Sequence, residues 1–193
     1  MLRNSQHTYG LVAVLLHWLV AVAVVGMFVL GLWMVDLTYY SDWYRTAPAI
    51  HKGIGVLLFI AVAVRLGWRI VGRQPERLAS HSALAQRAAG IAHALLYTLL
   101  FAVMLSGYLI STADGRPIDV FGLFSVPASI RGLPNQADIA GAVHLVLAIT
   151  LVSLAGIHAL AALKHHIVDR DRTLLRMLGK HSSPKNVNNR KQR

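Results

Sequence analysis

The chain has 193 residues, 55% of them hydrophobic and only 14% charged, with a formal net charge of +11 and no cysteine. So apolar a composition, gathered in long blocks, exceeds what a soluble domain needs and points to an integral membrane protein. The missing cysteines exclude disulfides, cysteine-ligated iron–sulfur clusters and thioether-attached haem.

Residues 1–10 are a short polar start containing Arg3 and His7. The first apolar block, about 11–35, is too long for a signal-peptide core and lacks a small-residue cleavage site. It therefore reads as a retained spanning helix, with His17 and Trp18 in its first two turns. Residues 36–49 form a polar connector whose Tyr39, Tyr40, Trp43 and Tyr44 suit the headgroup zone. The second block, about 50–71, opens on His51 and Lys52 and encloses Arg65. After a loop at 72–83, the third block, about 84–112, contains His93. Residues 113–136 are the longest connector, broken by Gly115, Pro117, Pro127 and Pro134; its apolar DVFGLFSVP segment is expected to dip into the interface. The fourth block, about 137–166, carries His144 and His158. A basic tail follows, and its end, 179–193, is polar and expected to be disordered. The expected fold is all-α: an integral membrane four-helix bundle forming one domain over residues 1–178.

Lysine and arginine set the orientation. One side collects Arg3, Arg69, Arg73, Arg77, Arg87 and the basic tail, whereas the other has only Arg45, Lys52, Arg116 and Arg131. The basic side is expected to be cytoplasmic, with both termini there. The positive balance is then a topology signal and an attraction to anionic membrane lipid, and no nucleic acid is expected as a partner.

His144 and His158 are fourteen residues apart, which puts both on one face of a helix, about 21 Å apart along its axis. Depth pairs the remaining histidines with these two. His51 and His144 fall near the outer face. His17 and His158 fall in the inner half, where His93 also lies, and geometry alone does not say whether His17 or His93 faces His158. Ionisable groups inside spans are costly and mark function, and two neutral imidazoles make an axial ligand pair for haem iron. Zinc is less suited, because these histidines split between two depths without carboxylate companions.

Arg65 shares the His51 face at inner depth, where a haem propionate or the inner headgroups would suit its charge equally. Lys52 is the corresponding candidate for the outer haem. His165 lies seven residues beyond His158, about 10 Å nearer the cytoplasm; there it suits a hydrogen bond to a quinone carbonyl, or a solvated place in a basic cluster. His7, His81, His166 and His181 read as surface residues. Gly53, Gly55, Gly90, Gly141 and Gly156 suit either close approach of a porphyrin or ordinary helix packing.

The LHWLV segment, IHKGIGVLLFIAVAVRLGWR, IAHALLYTLLFAVMLSGYLIST, the GRPIDVFGLFSVP loop and, most specifically, VHLVLAITLVSLAGIHALAALKHHIVDRDRTLLRML occur together in this chain. With them, residues 8–178 resemble the prokaryotic cytochrome b561 family of four-helix dihaem membrane proteins. The resemblance implies two haem b groups, one held by His17 and His158 and the other by His51 and His144. It also implies an inner ubiquinone site lined by His165. Expected activity is transmembrane electron transfer in the bacterial inner membrane, from superoxide or another periplasmic redox partner to quinone. Lys52, Arg45, Arg116 and Arg131 are placed to draw an anionic donor inward. Other readings are a cytochrome b anchor subunit of a dehydrogenase or hydrogenase and, from another class, a histidine-lined ion transporter without haem.

Overall fold

A bilayer offers backbone groups no partners, so a spanning chain must satisfy them inside its own helices. Four helices in the computed structural model, which describes residues 1–76 and 82–179, are long and apolar enough to do this. They are α1 (Leu11–Met34), α2 (Thr46–Val71), α3 (Ala83–Thr112) and α4 (Gln136–Ile167). A one-turn helix, α5 (Thr173–Met177), follows α4. Strands β1 (Ile118–Val120) and β2 (Phe124–Val126) form an antiparallel hairpin between α3 and α4, with Val120 opposite Phe124. Helix α2 begins at Thr46, ahead of the apolar block, because Pro48 falls in its first turn, where a missing N–H costs nothing. The Ser82 side chain caps α3 by accepting from the Ala85 amide.

The bundle is built from two halves. Helix α1 packs along α2, and α3 packs more extensively along α4. Contacts between the halves are sparser, chiefly of α2 with α3 and a few of α1 with α4. At mid-height, Val20, Leu58, Val62, Leu100 and Leu151 form a buried cluster drawn from all four helices, with Met27, Tyr97, Phe101 and Met104 packed on it. Leu15, Leu19, Val22, Val25, Val29, Val146 and Leu160 are exposed outside it, as a lipid-facing surface requires.

The halves are joined at both ends. At the basic end, Trp18 of α1 donates its indole N–H to the Met177 carbonyl of α5 at 2.8 Å. Arg176 gives two hydrogen bonds of 3.0 Å to the Glu76 carbonyl after α2, and its guanidinium lies 5.7 Å from the centre of the Tyr9 ring. The polar start is folded into this end through Asn4, whose amide donates to the Arg73 carbonyl, and through the Gln6 carbonyl, which accepts from the Glu76 amide. At the opposite end the β-hairpin lies against α2, with Ile118 and Val120 buried.

Within the 113–136 connector, the apolar segment expected at the interface forms this antiparallel hairpin. A turn over Val120–Leu123 closes it, with Phe121 and Gly122 both at positive φ (54° and 71°) and the Leu123 amide bonded to the Val120 carbonyl. A short apolar run does not announce such a turn, because a bulky residue at positive φ is itself unexpected. His166 also differs from its surface reading: it is half-buried, with an enclosed Nδ1 that has no hydrogen-bond partner among the described residues. His81, His181, Arg77 and residues 180–193, including nearly all of the expected disordered end, lie outside the described residues.

Gln136 ties the connector to the bundle. This buried side chain donates to the Leu109 and Ile130 carbonyls and accepts from the Leu133 amide. Replacing Gln136 with Ala strands these groups and is expected to lower stability by about 1–3 kcal/mol. Thermal unfolding in detergent, with proteolysis of the 113–135 segment rising in parallel, measures this loss.

Candidate functional site

Four of the spanning histidines are brought into two ring pairs. At the β-hairpin end, His51 of α2 and His144 of α4 face each other with ring centroids 6.2 Å apart and planes at 71°. Imidazole nitrogens sit about 2.0–2.1 Å from a first-row metal, so two rings across one ion have centroids on the order of 6 Å apart. The pair therefore has the spacing that two axial ligands need. His144 is also held in the required tautomer. Its Nδ1–H donates to the Val103 carbonyl at 2.9 Å, which leaves the lone pair on Nε2. The buried Ser106 hydroxyl donates to the same carbonyl at 2.8 Å and lies 3.1 Å from that Nδ1.

Each of these two rings backs onto a glycine of the neighbouring helix. A Cβ on Gly31 of α1 would stand 3.3 Å from His51 Cε1, and one on Gly107 of α3 would stand 3.1 Å from His144 Cε1. Neither glycine was singled out from sequence. The sequence carries only a loose depth signal, with Gly107 and Ser106 five and six residues from the end of α3 and His144 eight from the start of α4. Among the glycines that were singled out, Gly53 is filled by Phe121 and Gly55 touches only Met27 Cε, at 3.8 Å. A Cβ on Gly90, Gly141 or Gly156 would meet no atom of another described segment within 4 Å.

The basic end is arranged differently. His93 of α3 packs edge-on against His158 of α4, with ring centroids 5.2 Å apart. His17 of α1 lies within electrostatic reach of both, but its Nδ1 is engaged by Arg65 Nη2 at 2.9 Å. A guanidinium only donates, so that nitrogen accepts. Arg65 also lies 5.2 Å over the Tyr97 ring. Trp18 stands edge-on to His17 at 5.4 Å, so its bond to Met177 braces the His17 ring. Among the described residues no three His, Cys, Asp or Glu side chains cluster as a metal ion alone would need. Half-buried imidazoles in pairs, without acidic companions, are instead a donor set that fits haem iron.

His165 lies beyond this cluster, and its Nδ1 is 2.6 Å from Asp169 Oδ2 and 3.7 Å from Asp171 Oδ2. Lys164 Nζ bonds both oxygens of Asp169, at 2.9 and 2.7 Å. The Lys164 hydrogen bond, seconded by that of His165, holds the Asp169 carboxyl below the usual carboxylate range.

At the other end Lys52 is exposed and lines a cavity of about 370 Å³ together with Thr46, Ser111, Asp114, Arg116 and Phe121. Arg116, read from sequence as a cation that draws in an anionic donor, is paired with Asp114, which offsets its charge. Arg45 and Arg131 are exposed at the same end.

Comparison with known proteins matches the sequence to one family. The sequence model of prokaryotic cytochrome b561 matches residues 8–180. The chain is 52% identical over 180 residues to cytochrome b561 homolog 2 of Escherichia coli, covering 93% of this chain and 96% of that protein. It is 30% identical over 177 residues to the probable superoxide oxidase CybB of Yersinia pestis, covering 89% and 96%. It is 29% identical over 180 residues to cytochrome b562 of Cereibacter sphaeroides, covering 91% and 98%.

The Asp169 cluster has a defined pH window. A carboxyl whose folded pKa is depressed contributes its full stabilisation above the ordinary value of 3.8 and loses it as pH falls through the lower folded value. The contacts of Asp169 with Lys164 and His165 are therefore expected to persist at pH 5 and to come apart only below about pH 4. Amide hydrogen exchange over residues 164–171 as a function of pH tests this.

Proposed function

Because the chain belongs to the prokaryotic cytochrome b561 family, and is thus a membrane-integral cytochrome b that transfers electrons, we propose that it carries them from a one-electron donor at the β-hairpin end to ubiquinone at the basic end. The basic end, with both termini, faces the cytoplasm, and the membrane is the bacterial inner membrane. The observation that carries the reading is the His51–His144 pair, spaced for one ion between its rings and with His144 anchored through Nδ1. Family membership sets aside a haem-free ion transporter.

In this reading His51 and His144 would hold one haem b, and His17 and His158 the other. The second pairing requires Arg65 to release His17 Nδ1, so that the ring can offer a lone pair at Nε2. The haems supply one-electron chemistry at two depths of the membrane. With two imidazoles for each iron, the chain would leave no coordination site open, which suits electron transfer rather than oxygen binding. Helix α4 spaces its two ligands about 21 Å apart along its axis. The apolar cluster around Val62 and Leu100 keeps water out between them. Arg65 supplies a half-buried positive charge whose fitting partner would be a propionate of the inner haem, since no acidic residue lies within a spanning helix near it. Lys52 has the same role, more exposed, at the outer haem. Asp169 fixes the Nδ1 edge of His165, so proton exchange with a quinone oxygen falls to Nε2.

The similarity to a probable superoxide oxidase supports superoxide as the donor. Lys52, Arg45 and Arg131 supply the attracting field, while Arg116 contributes less because of Asp114.

A reduced-minus-oxidised spectrum of the purified protein is expected to show a b-type α-band. His144→Ala is expected to halve the haem content per chain and leave the other haem intact; a protein that keeps both would overturn the pairing. If superoxide is the donor, Lys52→Glu combined with Arg131→Glu is expected to slow its oxidation roughly tenfold and to flatten the salt dependence. Arg116→Glu is expected to do less, as stopped-flow rates at several ionic strengths would show.

A further inference from the structure

Each proposed ligand pair, His51 with His144 and His17 with His158, takes one ring from each half of the bundle, whereas the His93–His158 contact lies within one half. His17 and His51 belong to α1–α2, whereas His93, His144 and His158 belong to α3–α4. The distance across a pair is therefore set by whatever holds the halves together, and direct helix contacts between them are sparse. At the β-hairpin end one feature bridges them. The hairpin is continuous with α3 and α4, yet it packs on α2.

The contact is one edge of a half-exposed Phe121 ring, set as a wedge into a notch on α2. The Phe121 ring sits on α2 where Gly53 is buried; a Cβ there would stand 2.7 Å from Phe121 Cζ and 2.8 Å from Cε2. No side chain larger than hydrogen fits while the ring stays in place. Residue 53 follows His51 by two positions, about 200° around the helix. Phe121 therefore presses on the back of α2 while His51 faces the bundle and His144. The ring is held there at a backbone cost, since Phe121 has φ of 54°, a region that bulky residues avoid. Glycine would close the same turn without strain. Such strain persists where the surrounding structure over-determines it, as at clamps.

We infer that Phe121, seated against Gly53, is a positioning residue for the outer haem: it clasps α2 to the α3–α4 half and sets the His51–His144 separation. This rests on the proposal that these two histidines are axial ligands. Loss of the wedge lets α2 move outward and weakens the bond from His51 to the outer iron, with no effect at the basic end. That end has its own tie through Trp18 and Met177.

The test uses the full-length haem-loaded protein in nanodiscs. Phe121→Gly removes the wedge while relieving the turn, so the hairpin itself keeps its fold. Gly53→Ala fills the notch with the ring still present. Leu123→Gly, at an exposed position of the same hairpin, is the control. An iron with two firm imidazole ligands does not take up carbon monoxide, so the wild type and Leu123→Gly are expected to remain unreactive after reduction. Phe121→Gly and Gly53→Ala are expected to bind carbon monoxide at up to half of their haem. Only the low-spin electron paramagnetic resonance signal absent from His144→Ala should shift in them, and Phe121→Leu should restore part of the wild-type behaviour. Variants that stay unreactive with an unaltered outer signal, or that lose both haems equally, overturn the clasp alone. A wild type that itself binds carbon monoxide overturns the paired-ligand reading, and the clasp with it.

Discussion

The constraint on which the rest of this structure depends is that the proposed ligand pairs, His51–His144 and His17–His158, are each shared between two helical halves. An imidazole inside a bilayer is a polar group in a medium without water, and it must be given partners. Here the partners lie on other helices: Val103 of α3 for His144, Arg65 of α2 for His17, and His158 of α4 for His93. Apolar surface cannot drive helix association in lipid as it does in water, so such polar ties and close small-residue contacts must hold the bundle in register.

Most of the apolar surface accordingly faces outward, and the buried cluster at mid-height is small. Order is concentrated at the two ends. The β-hairpin end is closed by the strands, by the three hydrogen bonds of Gln136 and by the Phe121–Gly53 contact. The basic end is closed by the polar start, the Glu76 carbonyl and α5. These closures adjoin the histidine pairs, so the elements that stabilise the ends also position the proposed ligands.

The two ends differ chemically in ways that suit the proposed direction of flow. At the β-hairpin end the pair is plain, two rings seated on glycines beside a cavity with an exposed lysine. At the basic end three histidines lie near a half-buried arginine, and a lysine–aspartate–histidine cluster follows within a few residues. The first arrangement suits accepting an electron from a small anion. The second brings charge and exchangeable protons together, as reduction of a quinone requires.

The sequence by itself determined that the chain spans a membrane with four helices, and which histidines lie at which depth. Block length, hydropathy and a fourteen-residue spacing on one helix are local properties, and helix geometry converts them directly into position. The family resemblance followed from the same residues. Depth says nothing about azimuth, however, and azimuth decides which rings meet. Only the tertiary structure set His93 against His158, turned Arg65 onto His17 and offset Arg116 with Asp114. Only it made Gly31 and Gly107 ring seats and Gly53 a notch for Phe121. A glycine has no side chain to announce a role; its meaning is the atom that another segment brings to its open face, and that depends on packing between segments far apart in the chain.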